Sequence, residues 1–211
     1  MNAGGNLDLV MLVPGNDEHQ TFDGLLSSRK KSLRIRDVKY EIRRHPRRDP
    51  GCFHEGPDLL QPYQNRARYA LIVLDHEGSG QEDRTADEIA GDLKNRMAQS
   101  GWSKRTAVLV LQPELENWVW SDSPEVDRAM GWDGRNPPLR QWLMDRGGWS
   151  QGDEKPSKPK ECFEAALREV RMRRSSAIYR NLAENVGLSR CQDRGFHAFL
   201  AIMKEWFPAQ R

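Results

Sequence analysis

The feature that most constrains the fold is a short apolar run that stops at two acidic residues. Residues 69–74 (Tyr-Ala-Leu-Ile-Val-Leu) are followed by Asp75, His76 and Glu77, and then by a glycine-rich turn. The run is too short for a helix and consists of large apolar residues, which is typical of a strand buried on both faces. Because open α/β sheets place their chemistry at the carboxyl ends of their strands, Asp75 and Glu77 are predicted to lie at a functional edge.

The spacing of these two acids predicts a cation site. Residues i and i+2 point the same way on an extended backbone, so the side chains of Asp75 and Glu77 are expected to face one spot. Converging carboxylates repel each other unless a proton or a cation lies between them. Mg²⁺ and Mn²⁺ are cations that carboxylate oxygens commonly coordinate. An isolated Asp-x-Glu is also compatible with an ordinary solvated turn, so the rest of the chain has to decide.

The remaining segments predict an α/β fold with a mostly parallel sheet flanked by helices. Strands are predicted at residues 7–13, 36–42, 69–74 and 106–111, and helices at 19–28, 83–100 and 114–121. This alternation of strands and helices is typical of a parallel sheet with crossover helices. Residues 43–64 are dense in proline, glycine and charge, and they predict a long loop.

The character of the chain changes after about residue 121. We therefore predict an α/β core at residues 1–121 and a helical C-terminal extension at residues 122–211, packed on the core. Helices are predicted at residues 139–146, 159–173, 175–186 and 196–207, with a linker at 147–160. The tryptophans of these segments have apolar neighbours, which indicates that they fill the core or a subunit interface.

Composition favours a cytoplasmic protein. With 37% hydrophobic and 30% charged residues, the chain is typical of a polar globular domain. Its three cysteines are scattered and form no Cys-x-x-Cys pair, which predicts free thiols in a reducing compartment. The first residues lack the pattern of a signal peptide, and no stretch approaches the roughly 18 apolar residues of a membrane span. A membrane is therefore not among the expected partners.

Acidic residues follow three of the predicted strands and form the candidate site. Glu18, Asp75, Glu77 and Glu116 are the candidate catalytic residues, and the last three are also the candidate metal ligands. Because parallel strands end at one edge of the sheet, these side chains are expected to converge there, where a bound cation would position a phosphate and activate water. Glu18 and Glu116 also stand at predicted helix starts, so a role at the helix dipole stays open for both.

A basic stretch lies between the first and the central strand. Residues 29–49 contain ten Lys or Arg against three Asp or Glu, a balance that suits a polyanionic partner. The candidate nucleic-acid contacts within it are Arg43, Arg44, Arg47 and Arg48. A solvated basic surface without a partner is the alternative interpretation.

Several motifs, taken in chain order, resemble a TOPRIM-like family, namely the RloB-like and related proteins associated with bacterial defence genes. The matching segments are Val13-Pro14-Gly15 with Glu18, Asp75-His-Glu77, Pro113-Glu-Leu-Glu116-Asn-Trp118, Lys158-Pro-Lys160 and Cys191 to Phe196. The resemblance covers nearly the whole chain. It implies a TOPRIM-like (Rossmannoid) sheet, bound Mg²⁺ or Mn²⁺, and action on nucleic acid in an antiviral defence system. It also implies a defence-system protein or a second copy of the chain as partner.

The chain departs from the resembled family at Pro14. The family carries there the glutamate that looks like its general acid or base, and proline has no titratable group. Glu18, four residues on, would have to take over that role. The expected function is a component of a bacterial anti-phage defence system that binds a divalent metal and cleaves or binds nucleic acid; if it is active, it is a metal-dependent nuclease or phosphodiesterase. The alternative is a catalytically inactive interaction subunit of a defence complex.

Overall fold

The computed structural model describes residues 7–209, apart from the side chain of Arg190, and confirms the α/β class. One all-parallel sheet contains four strands in the order β2-β1-β3-β4. They are β1 (Leu7–Val13), β2 (Tyr40–Arg44), β3 (Ala67–Asp75) and β4 (Thr106–Leu111). The expectation that residues 1–6 hold no signal peptide lies outside the described part of the chain.

The strand order places a topological switch point between β1 and β3. The chain leaves β1 toward β2 on one side, and then returns past β1 to form β3 on the other side. The two central strands pair in register, with Met11 opposite Leu71 and Leu12 opposite Ile72. At such a reversal the connections leave in opposite directions, which opens a crevice at the carboxyl ends of the strands.

The strands are connected and followed by helices. Within the described residues these are α1 (Asn16–Ser28), α2 (Lys30–Leu33), α3 (Arg48–Leu60), α4 (Ala86–Gln99), α5 (Pro124–Ala129), α6 (Leu139–Asp145), α7 (Pro159–Glu169), α8 (Ser176–Asn185) and α9 (Arg194–Trp206). A 3₁₀ turn at Leu115–Trp118 follows β4. No described helix combines the length and the apolar character needed to cross a membrane.

The sheet has a hydrophobic core on each face, because successive strand residues point to opposite sides. Leu12 and Ile72 lie on one face and pack with α3 and α4. Met11 and Leu71 lie on the other face and pack with α1 and with the helices that follow β4. All four side chains are fully buried. The larger core thus includes residues from both sides of the predicted boundary near residue 121.

The predicted long loop at residues 43–64 is wrong, because most of it forms α3. Pro50 stands in the first turn of this helix, where a backbone N–H has no intrahelical partner to lose. Cys52, Phe53 and Leu60 are buried against the sheet. Burial of this apolar face outweighs the low helix propensity of the prolines and glycines, and propensity was the only signal that the prediction used.

Several predicted boundaries also need correction. The second strand lies at residues 40–44 instead of 36–42, and the helix predicted at 114–121 is the 3₁₀ turn. The helix predicted at 159–173 ends at Glu169, because Arg171 adopts a left-handed backbone conformation with φ of 55°. The short helix α5 begins at a serine cap and a proline that the prediction overlooked.

Candidate functional site

Five carboxylates lie at the carboxyl edge of the sheet, and we call them the carboxylate cluster. Its members are Glu18, Asp49, Asp75, Glu114 and Glu116. Every strand contributes: Glu18 and Asp49 lie in the first turns of the helices after β1 and β2, Asp75 ends β3, and the last two follow β4. Four of the side chains are buried, and Asp49 is half-buried.

Asp75 is the centre of the cluster and is 8% exposed. Its Oδ1 accepts a hydrogen bond of 3.0 Å from the backbone N–H of Leu115. Its own backbone N–H donates to Oδ1 of Asp49 at 2.8 Å. These two bonds connect the end of β3 to α3 on one side and to the segment after β4 on the other.

Burial raises the pKa of four members, and the charges of neighbouring acids add to the effect in Glu18, Asp75 and Glu114. For Asp75, burial raises the pKa well above its usual range, and the charges of Glu18 and Asp49 add to the effect. Burial, followed by the charges of Asp49 and Asp17, raises the pKa of Glu18 to about 7. Burial also raises the pKa of Asp49. At neutral pH the cluster therefore keeps protons that ordinary carboxylates would have lost, or a bound cation stabilises its ionised carboxylates.

Glu114 and Glu116 are held by groups of the C-terminal part of the chain. Oε1 of Glu116 accepts hydrogen bonds of 2.7 Å from the guanidinium of Arg174 and 2.7 Å from the hydroxyl of Tyr179. Oε1 of Glu114 accepts a hydrogen bond of 2.9 Å from the backbone N–H of Lys160. Since both acids are nearly fully buried, these donors keep them in fixed positions at the rim of the cluster.

The carboxylate of Glu18 folds back over the start of its own helix. A Cβ atom added to Gly15 would lie 2.9 Å from Oε2 of Glu18, closer than such contacts allow. Gly15 has an extended backbone, so it is the space above it, and not its φ angle, that the carboxylate needs. The glycine after Pro14 thereby admits Glu18 to the switch point between β1 and β3.

The structure brings together three of the four predicted acids. Glu18, Asp75 and Glu116 belong to the cluster, whereas Glu77 is exposed, because β3 ends at Asp75 and the alternation of an extended strand does not continue to Glu77. The Nε2 atom of His76 lies within hydrogen-bonding distance, 2.7 Å, of the carbonyl oxygen of Arg84.

Sequence reasoning missed two members of the cluster. Asp49 lies in a segment whose prolines and glycines predict a loop, although an aspartate before a proline is a common signal for a helix start. Glu114 lies two residues before the predicted ligand Glu116. Its position three residues after β4 is the signal that would have identified it.

The four predicted nucleic-acid contacts are exposed beside the cluster, at the end of β2 and the start of α3. Arg47 forms an ion pair of 2.7 Å with Glu55, and Arg44 donates a hydrogen bond of 3.1 Å to Asn16. Arg48 has a φ of 51°, the left-handed region that non-glycine residues seldom occupy, and it immediately precedes Asp49. Strain of this kind is common at functional sites.

The side chains of the cluster are of the type that binds a metal ion, but they are not spaced to coordinate one. Its oxygen donors are those that Mg²⁺ and Mn²⁺ prefer. Between residues 7 and 209, however, no group of three or more His, Cys, Asp or Glu side chains is already arranged to hold a metal ion. A bound cation would have to draw the side chains of Glu18, Asp49 and Asp75 together.

The resemblance to TOPRIM-like proteins depends on the motifs of this chain alone. The sheet shows that the protein belongs to the α/β class, and the geometry of the carboxylate cluster is the basis for inferring its chemistry. No protein-family model, curated protein or solved structure matches the chain.

Proposed function

We propose that the chain is a metal-dependent phosphodiesterase or nuclease whose cation site is the carboxylate cluster. One observation carries the proposal: all four parallel strands deliver a carboxylate to the same edge, at the switch point. Burial raises the pKa values of Glu18, Asp49 and Asp75, and the charge of Asp49 adds to the effect in the other two, so these acids repel one another when ionised. A divalent cation would relieve that repulsion, position a phosphate and activate water.

The residues of the site would divide the work. Glu18, Asp49 and Asp75 would hold the cation, while Arg174 and Lys160 keep Glu116 and Glu114 in place. The exposed arginines after β2, Arg43, Arg44, Arg47 and Arg48, would contact phosphates of a polyanionic substrate. A role in bacterial anti-phage defence is proposed from the motif resemblance alone.

Calorimetric titration with Mn²⁺ and with Mg²⁺ tests the cation site. We expect Asp75→Asn to weaken binding by about tenfold or more, because it removes a charged oxygen ligand. The matched control is Glu205→Gln, which removes an exposed acid from α9. Affinity should also rise with pH through about 7, since the cation competes with the proton of Glu18. Unchanged affinity in Asp75→Asn would refute the proposed cation site.

Gly15→Ala offers a second test that leaves every charge in place. The added Cβ would push the Glu18 carboxylate out of the switch point, so Mn²⁺ binding should weaken to the degree that we expect for Glu18→Gln. Gly91→Ala on α4 is the control, because a Cβ there meets no atom within 4 Å. Equal Mn²⁺ affinity in Gly15→Ala and in the unmodified chain would remove Glu18 from the ligand set.

A catalytically inactive subunit is the second candidate, and Pro14 favours it. This proline is buried at the end of β1 and has no proton to exchange where the resembled family has a glutamate. Cleavage of DNA and RNA strands in Mg²⁺ or Mn²⁺, measured beside Asp75→Ala, separates the two candidates. Metal-dependent cleavage that disappears in the variant supports the enzyme. Metal binding without cleavage, together with a co-purifying partner protein, supports the subunit.

A further inference from the structure

A groove of about 390 Å³ lies between α6 and α7, outside the carboxylate cluster. Trp142 and Arg146 form one wall, and Lys158, Ala165 and Arg168 are on the other. The end of the groove at Lys158 is close to the candidate site, because the backbone N–H of Lys160 donates a hydrogen bond to Glu114. Pockets that bind small ligands start at about 300 Å³, so the groove is large enough for one nucleotide.

The wall formed by α7 has one cation at each end. Lys158 immediately precedes the helix and Arg168 lies in its last turn, and Glu161, Glu164 and Ala165 line the groove between them. Lys158 pairs with Glu161 at 2.8 Å and Arg168 pairs with Glu164 at 3.6 Å. Both ion pairs are exposed and contribute little to stability, so a phosphate can replace the carboxylate as the partner of either cation.

The opposite wall presents a flat, cationic surface. The guanidinium carbon of Arg146 lies 4.1 Å from the ring centroid of Trp142, so the two planar groups are stacked. Trp142 is 7% exposed, which leaves the guanidinium as the accessible face of the pair. Guanidinium planes and aromatic rings are the surfaces on which unpaired bases stack.

A glycine, Gly148, lies at the base of the groove, where a side chain would not fit. A Cβ at Gly148 would lie 3.1 Å from Sγ of Cys162, and that thiol donates a hydrogen bond of 3.1 Å to the Gly148 carbonyl oxygen. The turn after α6 therefore meets α7 through a glycine without a side chain. This close approach fixes the distance between the Trp142 wall and α7.

We propose that this groove binds one nucleotide unit, with its phosphate on Arg168 and its base against the Arg146–Trp142 stack. The unit belongs either to a free mononucleotide or to a single-stranded polynucleotide. The proposal goes beyond the proposed function, because the groove contains no member of the carboxylate cluster. Binding is therefore expected in EDTA, where a cation site at the cluster would be empty.

Fluorescence anisotropy with a labelled oligothymidylate, in EDTA and at low salt, tests the groove. We expect the double variant Arg146→Ala, Arg168→Ala to bind about tenfold more weakly or worse, because it loses a stacking surface and a phosphate partner. The slope of log affinity against log salt should fall by about one for the lost phosphate contact. Lys94→Ala, Lys104→Ala is the control, since it removes two exposed cations elsewhere on the surface.

Ala165→Phe provides an independent variant that keeps every charge and fills the groove with a ring. It should weaken binding to a similar degree, and circular dichroism with urea unfolding will show whether each variant is folded. Full competition by AMP would identify a free nucleotide as the ligand, and competition by oligonucleotides alone would identify a single strand. Either result supports the groove. No binding by the unmodified chain, or binding unchanged in both groove variants, overturns the proposal.

Discussion

Replacing Glu18 by glutamine is expected to stabilise the protein above neutral pH. The carboxyl group of Glu18 is 8% exposed and faces the charges of Asp49, Asp17 and Glu116. Glutamine keeps the size of the side chain and removes its charge. The variant therefore isolates the cost of ionising a carboxyl group inside the cluster.

The magnitude follows from the pKa of Glu18, which rises from 4.5 to about 7 on folding. A raised folded pKa means that the native chain binds more protons than the unfolded chain, so stability falls as the pH rises. The loss begins near pH 4.5 and is complete above about pH 7. It amounts to about 3 kcal/mol for Glu18 alone, and relief of Asp49 and Asp75 in the variant adds to the difference.

Urea unfolding followed by tryptophan fluorescence, from about pH 4 to about pH 8 in EDTA, measures this difference. The curves of the unmodified chain and of Glu18→Gln should coincide near pH 4 and separate by about 3 kcal/mol near pH 8. Saturating Mn²⁺ should close the gap, because a cation stabilises only the chain that binds it. If the free energies of unfolding of Glu18→Gln and the unmodified chain differ by the same amount at every pH, the reasoning is refuted. The control Glu205→Gln should show such a constant difference.

Three further substitutions test the groups that build the site. Arg174→Met should lower the free energy of unfolding by about 2 kcal/mol, because the buried Glu116 loses its cation; Arg174→Lys should lose less. Gly51→Ala should cost about 2 kcal/mol in urea unfolding and weaken Mn²⁺ binding, since its Cβ would overlap the ring of His45 and displace α3. Asp193→Ala should cost at least about 2 kcal/mol in the same assay, because this buried side chain caps α9.

The strands were predictable because burial on both faces leaves a clear mark in sequence. The first strand and β4 were predicted with the observed bounds, and the central run at residues 69–74 lies within β3. Helix α3 was not predictable in the same way. Its prolines and glycines lower its propensity, and it is stabilised by tertiary packing that a local reading cannot register.

The same limit explains what was missed in the candidate site. Asp75 was identified from its position at the end of an apolar run, and that argument requires no tertiary information. The hydrogen bond from the backbone of Asp75 to Asp49 joins residues 26 positions apart, and local sequence carries no sign of it. The pairing of Arg174 with Glu116 spans 58 positions and was equally invisible. A general rule predicts that acidic residues converge at the sheet edge, but it does not predict which residues belong to the cluster.

The helices after β4 complete the site as well as the core. Arg174 and Tyr179 hold Glu116, and the backbone of Lys160 holds Glu114, so two buried acids depend on donors beyond residue 121. The same helices cover the face of the sheet that includes Met11. A chain shortened to the predicted α/β core would expose that face and would leave both acids to water instead of those donors, so their positions would no longer be fixed. The carboxylate cluster therefore requires both parts of the chain, and neither part builds it alone.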